Sequence, residues 1–458
     1  MRGFLASSIG VTCAAALALP LTLPAVAAPA APAAPAAPVA QPANGARSAS
    51  TTVAPDLPGS TQSLPLAPRT RDRTLGAAPE QGLTRDDVHR FSLVGVIWDD
   101  PDTELRGRVQ VRTRATGTGE WSGWQDVDTH NEDHGADPGT AERDSGHVHG
   151  STAPLWVGDS DGVDVRVRAD AGATRAVGNE AALPAGLHLE LVDPGADPPP
   201  AGARAATDRA AAPLTAETTE ASAANTDLVP LGATEVPALS KRATERELVA
   251  LRFKAQPYIG PRPRIVTRRG WGADEKLREK GFVYTKKVKA AFVHHTATGN
   301  NYRCSQAPSV IRGIYRYHVR SSGWRDIGYN FLVDKCGTIY EGRAGGVAKA
   351  VLGAHTLGFN TNSMGIAVLG TFGSAKPSSA AVTAIARLTA WKLGLYGVNP
   401  RGKTYLKSGG GNLYRKGKNV RLNVISGHRD GFATDCPGRQ LYGKLGSARS
   451  TSARYQGR

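Results

Sequence analysis

Long apolar runs are missing from most of this 458-residue chain. Beyond the first Ala-rich stretch, no segment approaches the roughly 18 apolar residues that a membrane-crossing helix needs, which excludes a chain built on several helical spans. His-Glu-x-x-His is also absent, which removes the common helix-borne zinc protease site. No internal repeat is found apart from Ala-Pro units near the N-terminus. Cysteine is scarce, with four residues in all. Cys13 lies inside the first apolar stretch instead of ending a lipobox, so lipid attachment is not expected.

What is present begins with an export signal. Arg2 supplies a short basic region, an apolar stretch runs from Phe4 to Leu23, and Ala25-Val-Ala-Ala28 offers small residues for cleavage. A membrane anchor is the competing reading, but Pro20 and Pro24 break the stretch. Residues 1–28 therefore read as a signal peptide. The mature chain is expected to be secreted, extracellular or cell-wall associated, with no transmembrane segment after cleavage. Cys304, Cys336 and Cys436 then remain, and an odd number in an exported protein means that one is free, intermolecular or otherwise occupied.

Charge is unevenly placed. From Arg264 onward the chain carries 33 Lys and Arg against 8 Asp and Glu, whereas the part before it carries 23 against 32. A basic C-terminal region points to a polyanionic partner. Export argues against nucleic acid, and no nucleic-acid reading motif is present. Anionic wall polymers fit better, beside the bland alternative of a basic soluble surface.

Composition divides the chain into blocks. Residues 29–87 are Ala/Pro-rich and read as a linker. Residues 88–192 show runs of partial apolar alternation, in Arg106-Gly-Arg-Val-Gln-Val-Arg-Thr-Arg114 and Gly162-Val-Asp-Val-Arg-Val-Arg168, which predict a smaller, all-β sandwich. Between Trp124 and Trp156 lie His130, His134, His147 and His149 among several acids. Their spacing matches no common metal site, and the segment reads as a solvated insertion. A second linker spans 193–262, with a transient helix near Leu239 to Lys254, and a folded domain spans 263–445 before a polar tail at 446–458.

In that domain apolar runs alternate with helical periodicity. Lys289-Ala-Ala-Phe-Val-His-His295 reads as a buried strand ending on two histidines, and Arg421-Leu-Asn-Val-Ile-Ser-Gly-His428 ends on another. Tyr329 to Val333 and Thr338 to Glu341 read as a hairpin, and Ser378 as the N-cap of a helix. An α/β sheet with ligands at its strand ends is the economical architecture. Catalytic zinc takes three protein ligands and keeps one position for water. Two strand-end histidines followed by Asp435-Cys-Pro-Gly438, whose Pro437 and Gly438 fix a turn, could supply them. Cys436 as a zinc thiolate accounts for the odd thiol and leaves Cys304 and Cys336 to form a disulfide. Two core histidines and a buried free thiol are the alternative.

Several blocks occur in order. They are Arg268-Arg-Gly-Trp-Gly-Ala273, Phe292-Val-His-His-Thr-Ala297, Gly323-Trp-Arg-Asp-Ile-Gly-Tyr-Asn-Phe331 and Thr338-Ile-Tyr-Glu-Gly-Arg343. Gly353-Ala-His355, Asn362-Ser-Met-Gly-Ile366, Gly427-His-Arg-Asp430 and Thr434-Asp-Cys-Pro-Gly438 follow. This succession resembles the peptidoglycan recognition proteins and zinc-dependent N-acetylmuramoyl-L-alanine amidases, including amidase-type phage lysozymes. The resemblance implies an α/β amidase domain with a mixed central sheet flanked by helices. It implies a Zn2+ cofactor, peptidoglycan as substrate, and cleavage of the amide between the muramoyl lactyl group and L-alanine. By position it implies His294, His428 and Cys436 as ligands, with the neighbouring His295 pointing to the other face of its strand. Tyr329 and Thr434 match catalytic positions, Thr434 standing where phage enzymes carry lysine. His355, Asn360 and Arg343 match groove positions for muramyl and peptide groups. Glu341 and Trp324 are expected to be scaffold, and no general base is evident. A non-catalytic peptidoglycan receptor is the alternative, although such relatives typically lose the cysteine.

Overall fold

The computed structural model describes residues 59–69, 79–129, 133–170, 183–196, 214–251 and 258–458. The expected signal peptide, the first part of the following linker and His130 lie outside them. Among the described residues no helix is long and apolar enough to cross a membrane.

The N-terminal region is an all-β domain. Its antiparallel sheet runs in the order Ser60–Pro65, His188–Asp193, Phe91–Trp98, Leu155–Ala169, Glu80–Arg85 and Ala67–Pro68, and Gly107–Ala115 also pairs with the long strand Leu155–Ala169. Val109, Val111, Val163, Val165 and Val167 are all fully buried, as the alternation of their strands requires. Three strands lie inside the expected 29–87 linker, so that reading is corrected. Ser60–Pro65 is an edge strand registered on His188–Asp193. Main-chain hydrogen bonds hold such a strand without an apolar run, and its Ser, Thr and Gln residues gave no strand pattern.

The second domain is built on a seven-stranded mixed sheet, ordered Glu235–Val236, Ile265–Val266, Ile339–Glu341, Phe331–Val333, Ser363–Val368, Ala290–His295 and Ile425–Gly427. Every residue of Ala290–His295 and Ser363–Val368 is buried, because helices cover both faces. Ser379–Leu395, N-capped by Ser378 as expected, lies on one face with Ile385, Leu388 and Trp391 in the core. Ala307–Arg316 covers the other and is itself covered by the β domain: Val310, Ile311 and Ile314 share a cluster with Leu93, Trp156 and Val192. The contact is close. Gly313 lies where a Cβ would meet Leu93 at 3.1 Å, and the Tyr317 hydroxyl donates to the Thr152 carbonyl at 3.1 Å. The β domain and the sheet domain therefore bury one apolar layer between them.

Three more boundaries differ from expectation. The 193–262 linker contains helices Ala216–Ala223 and Lys241–Ala250 and the edge strand Glu235–Val236. Asn225 in that segment is buried with its amide on the Glu341 carboxylate at 2.9 and 3.0 Å. The expected polar tail is helix Leu445–Gln456, which buries Leu445, Ala448, Ser452, Ala453 and Gln456. Its contact face consists largely of small and polar residues, with Ser452 on Thr389 at 3.0 Å and Gln456 on the Ala390 carbonyl at 3.0 Å, so no apolar stripe announced it. The expected strand from Arg421 to His428 divides instead at Val424: Asn419–Asn423 pairs with Lys403–Lys407 in a separate ribbon, and Ile425–Gly427 joins the main sheet.

Candidate metal centre and substrate groove

Register brings the strand-end histidines together. Ala290–His295 and Ile425–Gly427 are parallel neighbours with Val293 opposite Gly427, so the next residue of each strand, His294 and His428, emerges side by side. Their Nδ1 atoms are 3.1 Å apart, and Cys436 Sγ is 3.8 Å from His294 Nδ1. His295 takes the opposite face, where its Nδ1 accepts the Phe372 amide at 3.3 Å. The turn that presents Cys436 is closed by the Gly438 amide on the Asp435 carbonyl at 2.7 Å and the Arg429 amide on the Cys436 carbonyl at 3.0 Å. Cys304 and Cys336 form a disulfide elsewhere in the domain.

A fourth group completes this cluster, and it comes from the β domain. One ligand atom each from His134, His294, His428 and Cys436 lies within 4.8 Å of all the others, and all four residues are buried. The expectation of a solvated insertion around His134 is therefore corrected. His134 Nδ1 is 2.7 Å from Asp133 Oδ1, which leaves Nε2 as the bare lone pair, buried and without a hydrogen-bond partner. Behind the other ligands, His428 Nε2 faces the Asp133 carbonyl at 3.1 Å, and His294 Nε2 faces His355 Nδ1 at 3.3 Å. Such outer hydrogen bonds fix the ring that binds a metal through its other nitrogen.

The donor set fits a tetrahedral metal. Bonds of about 2.0–2.3 Å place N and S ligands roughly 3.3–3.8 Å from one another, close to the 3.1 and 3.8 Å found from His294 to His428 and Cys436. Burial, then the neighbouring histidines, pushes His294 far down; burial, against the pull of Asp133, pushes His428 down to about 3. Both are thus neutral, the form that ligates. Burial followed by the Asp133 carboxylate pushes the Cys436 thiol well up, so a cation at the centre is what would draw out the thiolate. Burial works against ionisation of Asp133 as well, but His134 and then His428 hold its carboxyl well below the usual range.

The remaining expected site residues surround this centre. The Tyr329 ring is buried 5.5 Å from that of His294 and 5.7 Å from that of His134. Its hydroxyl is kept protonated by burial and then by Cys436 and Asp133. Thr434 Oγ1 accepts the Cys436 amide at 3.1 Å. His355 is fully buried behind His294 instead of on an open groove wall, with Gly365 and Gly353 beneath it, each so close that a Cβ would overlap its ring. Asn360 accepts the His355 amide at 2.7 Å and donates to Asp137 at 2.7 Å. Arg343 is paired with both oxygens of Glu142 at 2.8 Å. Glu341 bonds Asn225 and the Arg268 amide, and Trp324 packs on His318 with ring centroids 4.3 Å apart; both serve as scaffold.

Each of the two domains matches a known family. Residues 284–439 match the family described as N-acetylmuramoyl-L-alanine amidase, and residues 43–186 match one described as Rv3811 N-terminal galactose-binding domain-like. Peptidoglycan-recognition protein SC2 of Drosophila simulans is 30% identical over 200 residues, covering 43% of this chain and 92% of that protein. Human N-acetylmuramoyl-L-alanine amidase is 31% identical over 198 residues, 42% of this chain and 28% of that protein. A solved human PGRP-IBETAC in complex with glycosamyl muramyl pentapeptide is 28% identical, covers 40% of this chain and 94% of that one, and has a TM-score of 0.32.

The chain belongs to the peptidoglycan-recognition protein and amidase family.

Within this family member the match to the amidases contains His294, His428, Cys436, Tyr329 and Thr434, whereas His134 falls in the other matched segment, 43–186. Spacing within the insertion gave no sign of His134, because its partners lie in the other domain. The one local signal was the Asp133-His134 pair, a carboxylate placed to orient an imidazole.

Proposed function

We propose that the mature protein is a secreted, zinc-dependent N-acetylmuramoyl-L-alanine amidase that degrades or remodels cell wall. It would hydrolyse the amide joining the muramoyl lactyl group to L-alanine of the stem peptide. Family membership supports a peptidoglycan amidase or recognition role, and the observation that carries the enzymatic reading is Cys436 Sγ beside His294 and His428. A receptor needs no such ligand set.

In this reading His294, His428 and Cys436 hold the ion. Bound there, zinc supplies a Lewis acid for the amide carbonyl and lowers the pKa of a water to near ~7. Tyr329, protonated at any working pH, donates its hydroxyl toward the oxygen on which charge develops. Thr434 contributes a neutral hydroxyl that orients but adds no charge. Arg343 offers a guanidinium for a stem-peptide carboxylate, a fit of planar fork to carboxylate. The basic surface from Arg264 onward favours retention on anionic wall polymers.

Incubating the mature protein with zinc and purified peptidoglycan should release stem peptides with a free N-terminal alanine. Bound protein without released peptides, in every variant tested, would instead mark a peptidoglycan receptor, the second reading that the recognition proteins among the relatives favour.

A further inference from the structure

The β-domain segment 133–149 reaches into the second domain and engages the groups that the proposed function assigns to metal and substrate. His134 is wedged among the centre's rings, 4.6 Å from His428, 5.3 Å from His294 and 5.7 Å from Tyr329 by centroid. The Asp133 carbonyl caps His428 at 3.1 Å, and its carboxylate lies 2.7 Å from His134 Nδ1. Asp137 accepts from Asn360 at 2.7 Å and from the Gly358 amide at 2.8 Å. Glu142 forms the two-pronged pair with Arg343, with both side chains only 5% exposed.

We infer that this segment is a built-in occupant of the groove, with His134 filling the metal position that a catalytic site leaves for water and Glu142 and Asp137 standing in for the carboxylates of a peptide substrate.

The inference rests on the amidase reading of the groove. Its physical basis is the difference between two kinds of zinc site. Structural sites close the ion with four protein ligands, and catalytic sites keep one place open. Here the fourth donor is an imidazole held by Asp133, within 4.8 Å of the other three ligand atoms, and its Nε2 is buried without a hydrogen-bond partner. The carboxylates follow the same logic. An Arg–carboxylate fork is the interaction a peptide terminus would make at Arg343, so Glu142 and substrate compete for one guanidinium. The segment is fixed at its far end, where the His149 amide donates to the Ser322 carbonyl at 3.1 Å and Gly323 packs on the His147 carbonyl. It therefore stays near the site when its tip withdraws. Occupancy by an internal ligand lowers apparent affinity by the fraction of molecules that are open.

The test uses the mature full-length protein with His134→Ala and Glu142→Gln, the second nearly isosteric and so a guard against misfolding. Cobalt(II) replaces zinc for absorption spectra, zinc affinity is measured by competition with a chelator, and a soluble muramyl peptide is titrated calorimetrically. His134→Ala should weaken zinc binding by roughly 10-fold or more and shift the cobalt spectrum as water enters. Both variants should bind the muramyl peptide roughly 10-fold tighter or better. An unchanged cobalt spectrum and zinc affinity in His134→Ala would overturn the ligand role. Unchanged peptide affinity in both variants would overturn the occupancy. If peptide affinity rises but no variant releases stem peptides, the enzymatic reading falls and the occupied groove stands.

Discussion

Two regions deliver imidazoles to one centre by different means. His294 and His428 leave adjacent parallel strands whose register is set by main-chain hydrogen bonds, inside a sheet covered on both faces. His134 arrives on a segment without strand or long helix, held by side-chain pairs across a domain boundary: Asp137 on Asn360 and Glu142 on Arg343. The strand-borne donors are preorganised, because moving them means breaking a buried sheet. The loop-borne donor is held by interactions that another carboxylate can replace. Permanence belongs to the first arrangement and exchange to the second.

The largest effect should come from the fixed side of this comparison. Cys436→Ala removes a ligand that nothing else replaces, and metal content after dialysis should fall by at least about 100-fold, with stem-peptide release lost; full metal retention would break the comparison at its root. Tyr329→Phe should keep the metal and lower release by about 10²–10³-fold, the usual cost of one oxyanion donor, read from initial rates beside metal analysis. On the exchangeable side, Glu142→Ala strands a buried guanidinium, and urea unfolding should show a loss of about 3 kcal/mol. Glu142→Gln should lose clearly less, since it still accepts from Arg343.

Glu341 supplies a control away from the centre. Burial, opposed by Asn225 and Arg268, pushes its carboxyl up to about 7. The folded protein thus favours the protonated form. Its contribution to stability is present below the ordinary carboxyl range and is lost as pH rises through about 7. Unfolding curves between pH 5 and 8 should show a decline on the order of 2–3 kcal/mol from this group, absent in Glu341→Gln. The smallest effect is expected for His295→Ala. This strand neighbour of His294 faces away from the cluster, so metal content should be unchanged and stability should drop by about 1–2 kcal/mol.

Much of the second domain is legible in the sequence. The strand ending at His294, the helix begun by Ser378 and the hairpin around Gly337 follow from apolar periodicity and local capping, which act over a few residues. The Cys304–Cys336 disulfide follows from counting thiols once Cys436 is set apart. Elements held by main-chain bonds or small-residue contacts were not legible. Ser60–Pro65 has the composition of a spacer yet pairs along its length with His188–Asp193. Leu445–Gln456 has the composition of a tail yet packs on Ser379–Leu395. His355 shows a third kind of miss, since its motif marked the neighbourhood and only packing placed it behind His294 instead of in the open.

By itself, the sequence determined that His294 and His428 stand at strand ends and Cys436 in the turn after them, because alternation, turn chemistry and motif order are local and survive in one dimension. It also determined that Cys436 stood apart from the other two cysteines. Only the tertiary structure decided that His134 joins the cluster of groups able to hold a metal. His134 and His294 meet because Leu93, Trp156 and Val192 of one domain bury the helix Ala307–Arg316 of the other, which brings the segment 133–149 against the groove. That docking depends on the shape of a shared apolar layer, a long-range property that no short spacing records.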